Sequence, residues 1–451
     1  MLQRWLSIAL GAFFIANVLA SPARALSYIR DAEIEHTLRE YSAPIFRSAN
    51  IPPDNVRIFI VNSPVINAFV AGGLNMFIHT GLIRATEDPG MLIGVIAHET
   101  GHIEGTHLAQ LSQQSNTMAI GTLLTAALGA AAAVSGAGDA GAAIITAGQN
   151  ATLRNMLSHY RGNEQAADQA ALRYLDENDM SAQGMLKMFE VLRRESRGAK
   201  GDPYLRTHPL TTERIAHIRN HLNDSRIPKG QIPNQYNESH ARMVAKLEAF
   251  MEPPTKTLAR YPESNNSLSA HYARTIAWFR MPNFTRALEG VDALIAKRPN
   301  DPFFYDTKGQ ILFESGQVDA AIDAYTRAHE LLPGNALILT DLGRAYGESR
   351  QPGSLDKAIK YLEEARQRDN SNASTWRYLA TAYGKQGQFG KSHVALAEEA
   401  ALLNEPESML KNIERAQKHL AEYSPAWVRA EDLRAQAKQM LRDKEDKKSL
   451  L

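Results

Sequence analysis

Asp88-Pro89-Gly90-Met91-Leu92-Ile93-Gly94-Val95-Ile96-Ala97-His98-Glu99-Thr100-Gly101-His102 is the stretch that decides how this chain is read. Asp88 suits an N-cap and Pro89 the first helical position, so a helix is predicted to start here. Met91, Leu92, Ile93, Val95, Ile96 and Ala97 make its incoming turns apolar nearly all round, the pattern of a buried helix. Into that helix the chain places two histidines and a carboxylate. His98 and His102 stand at i and i+4, so both imidazoles project from one face and can hold one metal ion together. Glu99 lies beside that face, where it can take a proton from a metal-bound water. Ionisable groups buried at this density are expensive unless paired or ligated. The spacing therefore predicts a metal centre.

His-Glu-x-x-His is a signature of zinc-dependent peptide hydrolysis, and the third ligand separates its subclasses. One subclass continues as H-E-x-x-H-x-x-G-x-x-H. Gly105 fits that frame, but the required position is Leu108, and the nearby histidine comes one residue early at His107. Another subclass takes a glutamate from a later helix. Asn163-Glu164-Gln165-Ala166-Ala167-Asp168 opens a run continuing Gln169-Ala170-Ala171-Leu172, rich in helix formers. Glu164 and Asp168 are again i and i+4, so one can ligate while the other orients a ligand histidine.

Further pieces accompany these two motifs: Asn67-Ala68-Phe69, Gly72-Gly73, His107, and Thr207-His208-Pro209 followed by Glu213-Arg214. In type and order the set resembles the gluzincin family of zinc metalloproteases over residues 60 to 220. The resemblance implies an α+β zincin-like metallopeptidase domain, mostly helical with a small sheet. It implies one Zn2+ per chain held by His98, His102 and Glu164, with Glu99 as general base and Asp168 as a supporting catalytic carboxylate. It also implies that His208 is a regulatory fourth ligand. A catalytic zinc needs an open position for water, and a histidine filling it would keep the enzyme inactive until the loop moves. Arg214, one helical turn further on, either anchors that loop or neutralises a developing oxyanion. His79, His159, His217 and His221 read as structural or surface residues.

Substrate delivery has its own signal. Asn75 to Ile83 is short, β-rich and preceded by Gly72-Gly73, so it reads as a strand or hairpin arm. It is either an ordinary core strand or an exposed edge that takes substrate as an added strand.

At 451 residues the chain has room for two or three domains, each with its own core. A net charge of +1 excludes a nucleic-acid surface. Arg4, an uncharged run from Trp5 to Ala20, Pro22 and Ala23-Arg24-Ala25 read as a signal peptide over residues 1–25, cleaved near Ala25; an uncleaved anchor is the alternative. Without cysteine there is neither a lipid-attachment site nor a disulfide framework. The predicted destination is the periplasm of a Gram-negative bacterium. Leu108 to Gly138 carries no charge. Its central residues 118–134 read as a helical hairpin over the active site or, in the competing reading, as a peripheral membrane contact.

The C-terminal half follows a period of 34, the tetratricopeptide spacing. Phe284 recurs as Val318, Ala287 as Ala321, Pro299 as Pro333, Gly309 as Gly343 and Leu312 as Tyr346. A further copy with Ala380 and Tyr383 is offset by 37, because Gln351-Pro352-Gly353-Ser354 lengthens a turn. The expected order is a metallopeptidase domain over 26–225, a Pro-containing linker over 226–265, and an all-α tetratricopeptide solenoid over 266–441 with capping helices from Ala426 to Leu441. Such a solenoid presents a concave face to peptides or partner proteins.

Together with the resemblance, these features imply a zinc-dependent endopeptidase of the cell envelope. It would degrade misfolded or stalled outer-membrane proteins, assist their assembly, and meet the barrel-assembly machinery through its repeats. The competing expectation is a chaperone or assembly scaffold whose repeats bind envelope proteins with little proteolysis.

Overall fold

The computed structural model describes residues 27–106, 161–195 and 208–449. Residues 1–25, expected to be a signal peptide, the stretch containing 118–134, and His107, His159 and Thr207 lie outside the described residues. Among the described residues no helix is long and apolar enough to cross a membrane.

The first part of the chain runs β1 (Tyr28–Ile29), α1 (Ala32–Ser48), β2 (Arg57–Val61), β3 (Ala68–Ala71), β4 (Asn75–His79), α2 (Thr80–Ala85) and α3 (Pro89–Glu104). Helix α4 is described over 161–177, and α5 (Gln183–Glu195) and α6 (Thr212–Asp224) follow. The four strands form one sheet in the order β1-β2-β4-β3. β2 and β4 pair in parallel, while β1 and β3 flank them antiparallel. Asn75–His79 is therefore an interior strand, and the chain turns helical at Thr80, so the edge-strand alternative for Asn75 to Ile83 is corrected. Among the described residues the edges are the two-residue β1 and, from the Asn67-Ala68-Phe69 motif, β3. Gly72 and Gly73 make the turn between β3 and β4 at φ +58° and +89°, a region that glycine enters without a Cβ penalty.

Ladder polarity follows from one bond. The His79 amide donates to the Asn67 carbonyl at 3.0 Å, and Phe69 lies opposite Phe77. Antiparallel pairs alternate, so Asn67, Phe69 and Ala71 bond inward to β4. The amide and carbonyl groups of Ala68 and Val70 consequently face the side of β3 on which no strand pairs among the described residues.

Helix α3 begins as its sequence predicts: the Asp88 side chain accepts from the Met91 amide at 3.1 Å, and Pro89 occupies the first turn. Every residue from Pro89 to His102 is buried, between the inner face of the sheet and helices α1, α4 and α5. Gly101 shows why the last variable position of the motif is small. A Cβ there would sit 2.8 Å from the Ala167 carbonyl oxygen, so any larger residue would push α4 off α3 and pull Glu164 away with it.

The second part runs α7 (Gln235–Met251), α8 (Pro254–Arg260), α9 (Leu268–Arg280), α10 (Phe284–Lys297), α11 (Pro302–Glu314), α12 (Val318–Leu331), α13 (Ala336–Glu348), α14 (Ser354–Arg368), α15 (Ala373–Lys385), α16 (Phe389–Leu402), α17 (Pro406–Gln417) and α18 (Pro425–Ser449). Helices α9 to α16 are four antiparallel pairs on the predicted period. The recurring glycine is steric: a Cβ at Gly309 would meet the Tyr325 ring at 2.6 Å, and one at Gly343 would meet Leu362 at 2.6 Å.

The stretch expected as a linker with one short helix between its two Pro-containing breaks is mostly helical. Residues 226–265 contain α7 and α8, and α7 belongs to both cores. Tyr236, Met243 and Leu247 pack in the peptidase core, while Ala245 and Ala249 pack with Tyr272, Ala273 and Phe304 of the first repeats. The start of α1 reaches the same repeats. Ala32 packs with Phe303, Ala328 and Ile338. Glu33 pairs with Arg242 at 2.6 Å and accepts from the Tyr272 hydroxyl at 2.8 Å, and Lys246 pairs with Asp31 at 2.8 Å. Arg30 pairs with Asp369 at 2.5 Å. Glu33, Arg242 and Lys246 are buried, so each relies on its partners; removing one such partner typically costs about 3–5 kcal/mol. Peptidase residues thus lie against the repeats.

Candidate active site and metal centre

Three elements deliver the site. α3 contributes His98, Glu99 and His102, α4 contributes Glu164 and Asp168, and the turn before α6 contributes His208. The relative exposures of His98, Glu99, His102, Glu164, Asp168 and His208 are 0, 0, 7, 3, 1 and 7 %. Every site residue singled out in the sequence is therefore brought into one buried cluster.

The donors of His98, His102, Glu164 and His208 all lie within 4.8 Å of one another. His98 Nε2 is 3.1 Å from His102 Nε2 and 3.4 Å from Glu164 Oε2. His102 Nε2 is 3.2 Å from Glu164 Oε1. His208 Nδ1 is 3.0 Å from Glu164 Oε1 and 3.4 Å from His98 Nε2. With zinc–ligand bonds of about 2.0–2.1 Å, a tetrahedron has edges of about 3.3 Å. The donor spacings match those edges, and the donor set, three imidazoles and a carboxylate, is one that zinc takes. These residues fit a metal ion, and His208 lies among the donors that would hold it.

The surroundings prepare the ligands. Asp168 Oδ1 lies 2.9 Å from His98 Nδ1, which turns Nε2 toward the centre and fixes the ring. Burial works against a charge on His98, but the hydrogen bonds of Asp168 and Glu164 outweigh it and lift the imidazolium to about 9. Burial drives His102 down to about 3, keeping it neutral and able to ligate. Hydrogen bonds from the His102, His208 and His98 imidazoles outweigh burial at Glu164 and hold its carboxyl far below the usual range. Glu99 is the exception: burial raises it, and both its carboxylate oxygens are buried without a hydrogen-bond partner. Its nearest cationic or imidazole group is His208, whose Nε2 lies 3.5 Å from Oε1; a buried carboxylate without a hydrogen bond costs about 1–3 kcal/mol or more. Its place beside the donor set makes it the group left over to act on a water.

Arg214 is the functional residue that sequence reasoning left underdetermined. It is 3 % exposed and meets Asp168, Glu164 and the Pro209 carbonyl at once. Its guanidinium also lies over the Phe189 ring, 4.8 Å from the centroid. The Thr211 hydroxyl caps α6 by accepting from the Arg214 amide. The signal for this was the short Thr207-to-Arg214 spacing, which shows proximity to the loop but not to α4.

Residues 29–222 match the model of Peptidase family M48, and this part of the chain is an M48 metalloprotease domain. Across most of its length the chain is similar to the Beta-barrel assembly-enhancing protease of Yersinia pestis, at 25 % identity over 399 residues, 88 % of this chain and 80 % of that protein. It is equally similar to the protein of that name from Escherichia coli strain K12, at 25 % over 378 residues, 83 % of this chain and 77 % of that protein. Among solved structures, the helical half resembles YrrB, a TPR protein with an unusual peptide-binding site; the match is 15 % identical, covers 40 % of this chain and 94 % of that one, and has a TM-score of 0.32.

Proposed function

We propose that this chain is a zinc endopeptidase of the Gram-negative periplasm that cuts misfolded or stalled outer-membrane proteins. The observation that carries the proposal is the buried His98–His102–Glu164 donor set with the Glu99 carboxylate beside it, buried and making no hydrogen bond. A bound zinc ion would polarise the scissile carbonyl and make its water acidic near neutrality. Glu99 takes that water's proton and passes it to the leaving amine. Asp168 holds the His98 ring in its ligating tautomer, and Arg214 holds Asp168 and Glu164. The edge of β3 receives an extended segment as an added strand, because Ala68 and Val70 offer their backbone groups there. Strand addition tolerates many sequences, which suits a quality-control protease.

The place of His208 among the four donors supports regulation: bound to the metal, its imidazole would exclude the nucleophilic water, and the loop would have to move before hydrolysis. The same observation favours a second reading, in which the closed protein acts as an assembly scaffold. Support for outer-membrane clients and for contact with barrel-assembly machinery comes from the name of the similar proteins and from the helical repeats. Periplasmic export rests on the Arg4-to-Ala25 pattern, and an exported protein starting near Leu26 by mass spectrometry would bear it out.

The test is zinc content with casein cleavage, wild type against Glu99→Gln. The variant should keep zinc and lose about 10²–10⁴-fold in cleavage. Near-wild-type cleavage by Glu99→Gln would remove Glu99 as the base. Wild-type protein that never takes up zinc would overturn the metal site. In cells, a protease loses its role with Glu99, whereas a scaffold keeps it.

A further inference from the structure

Each of the four strands carries a Tyr or Phe ring on the sheet face turned away from the core, and β4 adds the His79 imidazole, 6.0 Å from Phe69. Tyr28 and Phe59 have centroids 5.4 Å apart. Phe59 and Phe77 stack at 5.0 Å and 14°, and Phe77 and Phe69 at 4.8 Å and 12°. Phe59, Phe77 and Phe69 are direct register partners. The rings form a ladder across the sheet, and its last rung, Phe69, is half-buried on the edge strand. No step of the hydrolysis uses them.

A strand added to β3 bonds to Ala68 and Val70. Its residue opposite Phe69 then lies between the bonded positions, in a non-hydrogen-bonded pair, where side chains approach most closely at about 4.5–5.5 Å between Cβ atoms. Paired strands share their pleat, so that side chain stands on the same face as the Phe69 ring. It becomes the fifth rung of the ladder. Two residues along in either direction, its neighbours on this face meet the methyl group of Ala71 or the side chain of Asn67, neither of them a ring. The backbone bonds read no sequence, so discrimination for an aromatic side chain on this face falls on one position.

We propose that Phe69 is a specificity-determining residue that selects an aromatic side chain opposite it in the bound substrate strand. This deepens the strand-addition reading above and rests on it. The substrate class follows: extended segments with apolar and aromatic side chains at period two, the pattern of unassembled membrane β-barrel strands with their aromatic girdles.

The test maps cleavage sites by mass spectrometry on a peptide library, using zinc-loaded wild type, Phe69→Leu, which keeps an apolar side chain but loses the ring, and Phe69→Trp. Wild type should show aromatic residues enriched about two- to five-fold at one fixed distance from the cut, the scale of a cross-strand aromatic pair. Phe69→Leu should cut with that enrichment gone, and Phe69→Trp should retain it. Enrichment that survives Phe69→Leu, or a flat wild-type profile, overturns the inference while leaving the peptidase reading intact. Absence of cleavage by all three, with and without His208→Ala, overturns the peptidase reading itself.

Discussion

Arg214 grips Asp168 with two parallel hydrogen bonds, Nε to Oδ2 at 2.6 Å and Nη2 to Oδ1 at 2.8 Å. Its Nη1 meets Glu164 Oε2 at 2.7 Å and the Pro209 carbonyl at 2.9 Å. One guanidinium thus ties the ligand glutamate, the carboxylate behind His98 and the His208 turn into a single unit. The fork geometry matters, because an ammonium makes no bidentate pair. Arg214→Lys should lower zinc affinity by about 10- to 100-fold, as outer-shell substitutions do, and loosen the His208 turn. Zinc titration against a chromophoric chelator checks this; unchanged affinity would leave Arg214 with a packing role only.

Glu164→Gln removes a charged ligand while keeping the side chain's shape. Zinc retention should fall by more than the about 100-fold upper range of outer-shell changes. Metal analysis after dialysis decides the matter, and stoichiometric zinc in that variant would show that another residue completes the site.

His208→Ala should keep zinc and raise proteolysis, including self-cleavage, because three protein ligands remain and the fourth position opens to water. Casein cleavage and the appearance of self-cleavage fragments are the readouts. A stable, zinc-bound but inactive variant would make His208 a contact of substrate or transition state.

Asp341 bears on the solenoid rather than on catalysis. Burial pushes its carboxyl up to about 6, helped by the charge of Asp31 and opposed by Arg344 and Lys246. A raised acid binds its proton more tightly in the folded state, so stability falls as pH rises from about 4 to 6 and stays reduced above. Asp341→Asn should therefore raise the melting temperature at pH 7.5, on the order of 1 kcal/mol after allowance for its partial exposure, and do less at pH 5. Thermal denaturation at both pH values checks the sign; a drop at pH 7.5 would show that pairing with Arg344 outweighs burial.

The metal helix, its N-cap at Asp88, the i,i+4 spacing of His98 with His102 and of Glu164 with Asp168, and the 34-residue period were all legible in the chain. Each depends on contacts within one helix or on a repeat that returns at fixed intervals, and such local geometry follows from residue type and spacing alone. Which strand forms the edge was not legible, because β3 and β4 have similar composition and their places depend on whether β2 pairs with one or the other. The shared role of α7 was hidden for a related reason: a Pro-flanked segment reads as a linker until two cores are seen to close on its opposite faces. Arg214 could be placed near His208 by counting residues, but its grip on Asp168 spans 46 positions of chain. Only the packing of α6 against α4 and α5 brings that guanidinium to the carboxylates, since the chain between them imposes no distance. The chemistry of the site was thus written locally, while the order of the sheet, the union of the two halves and the anchoring of the His208 turn were decided by tertiary packing.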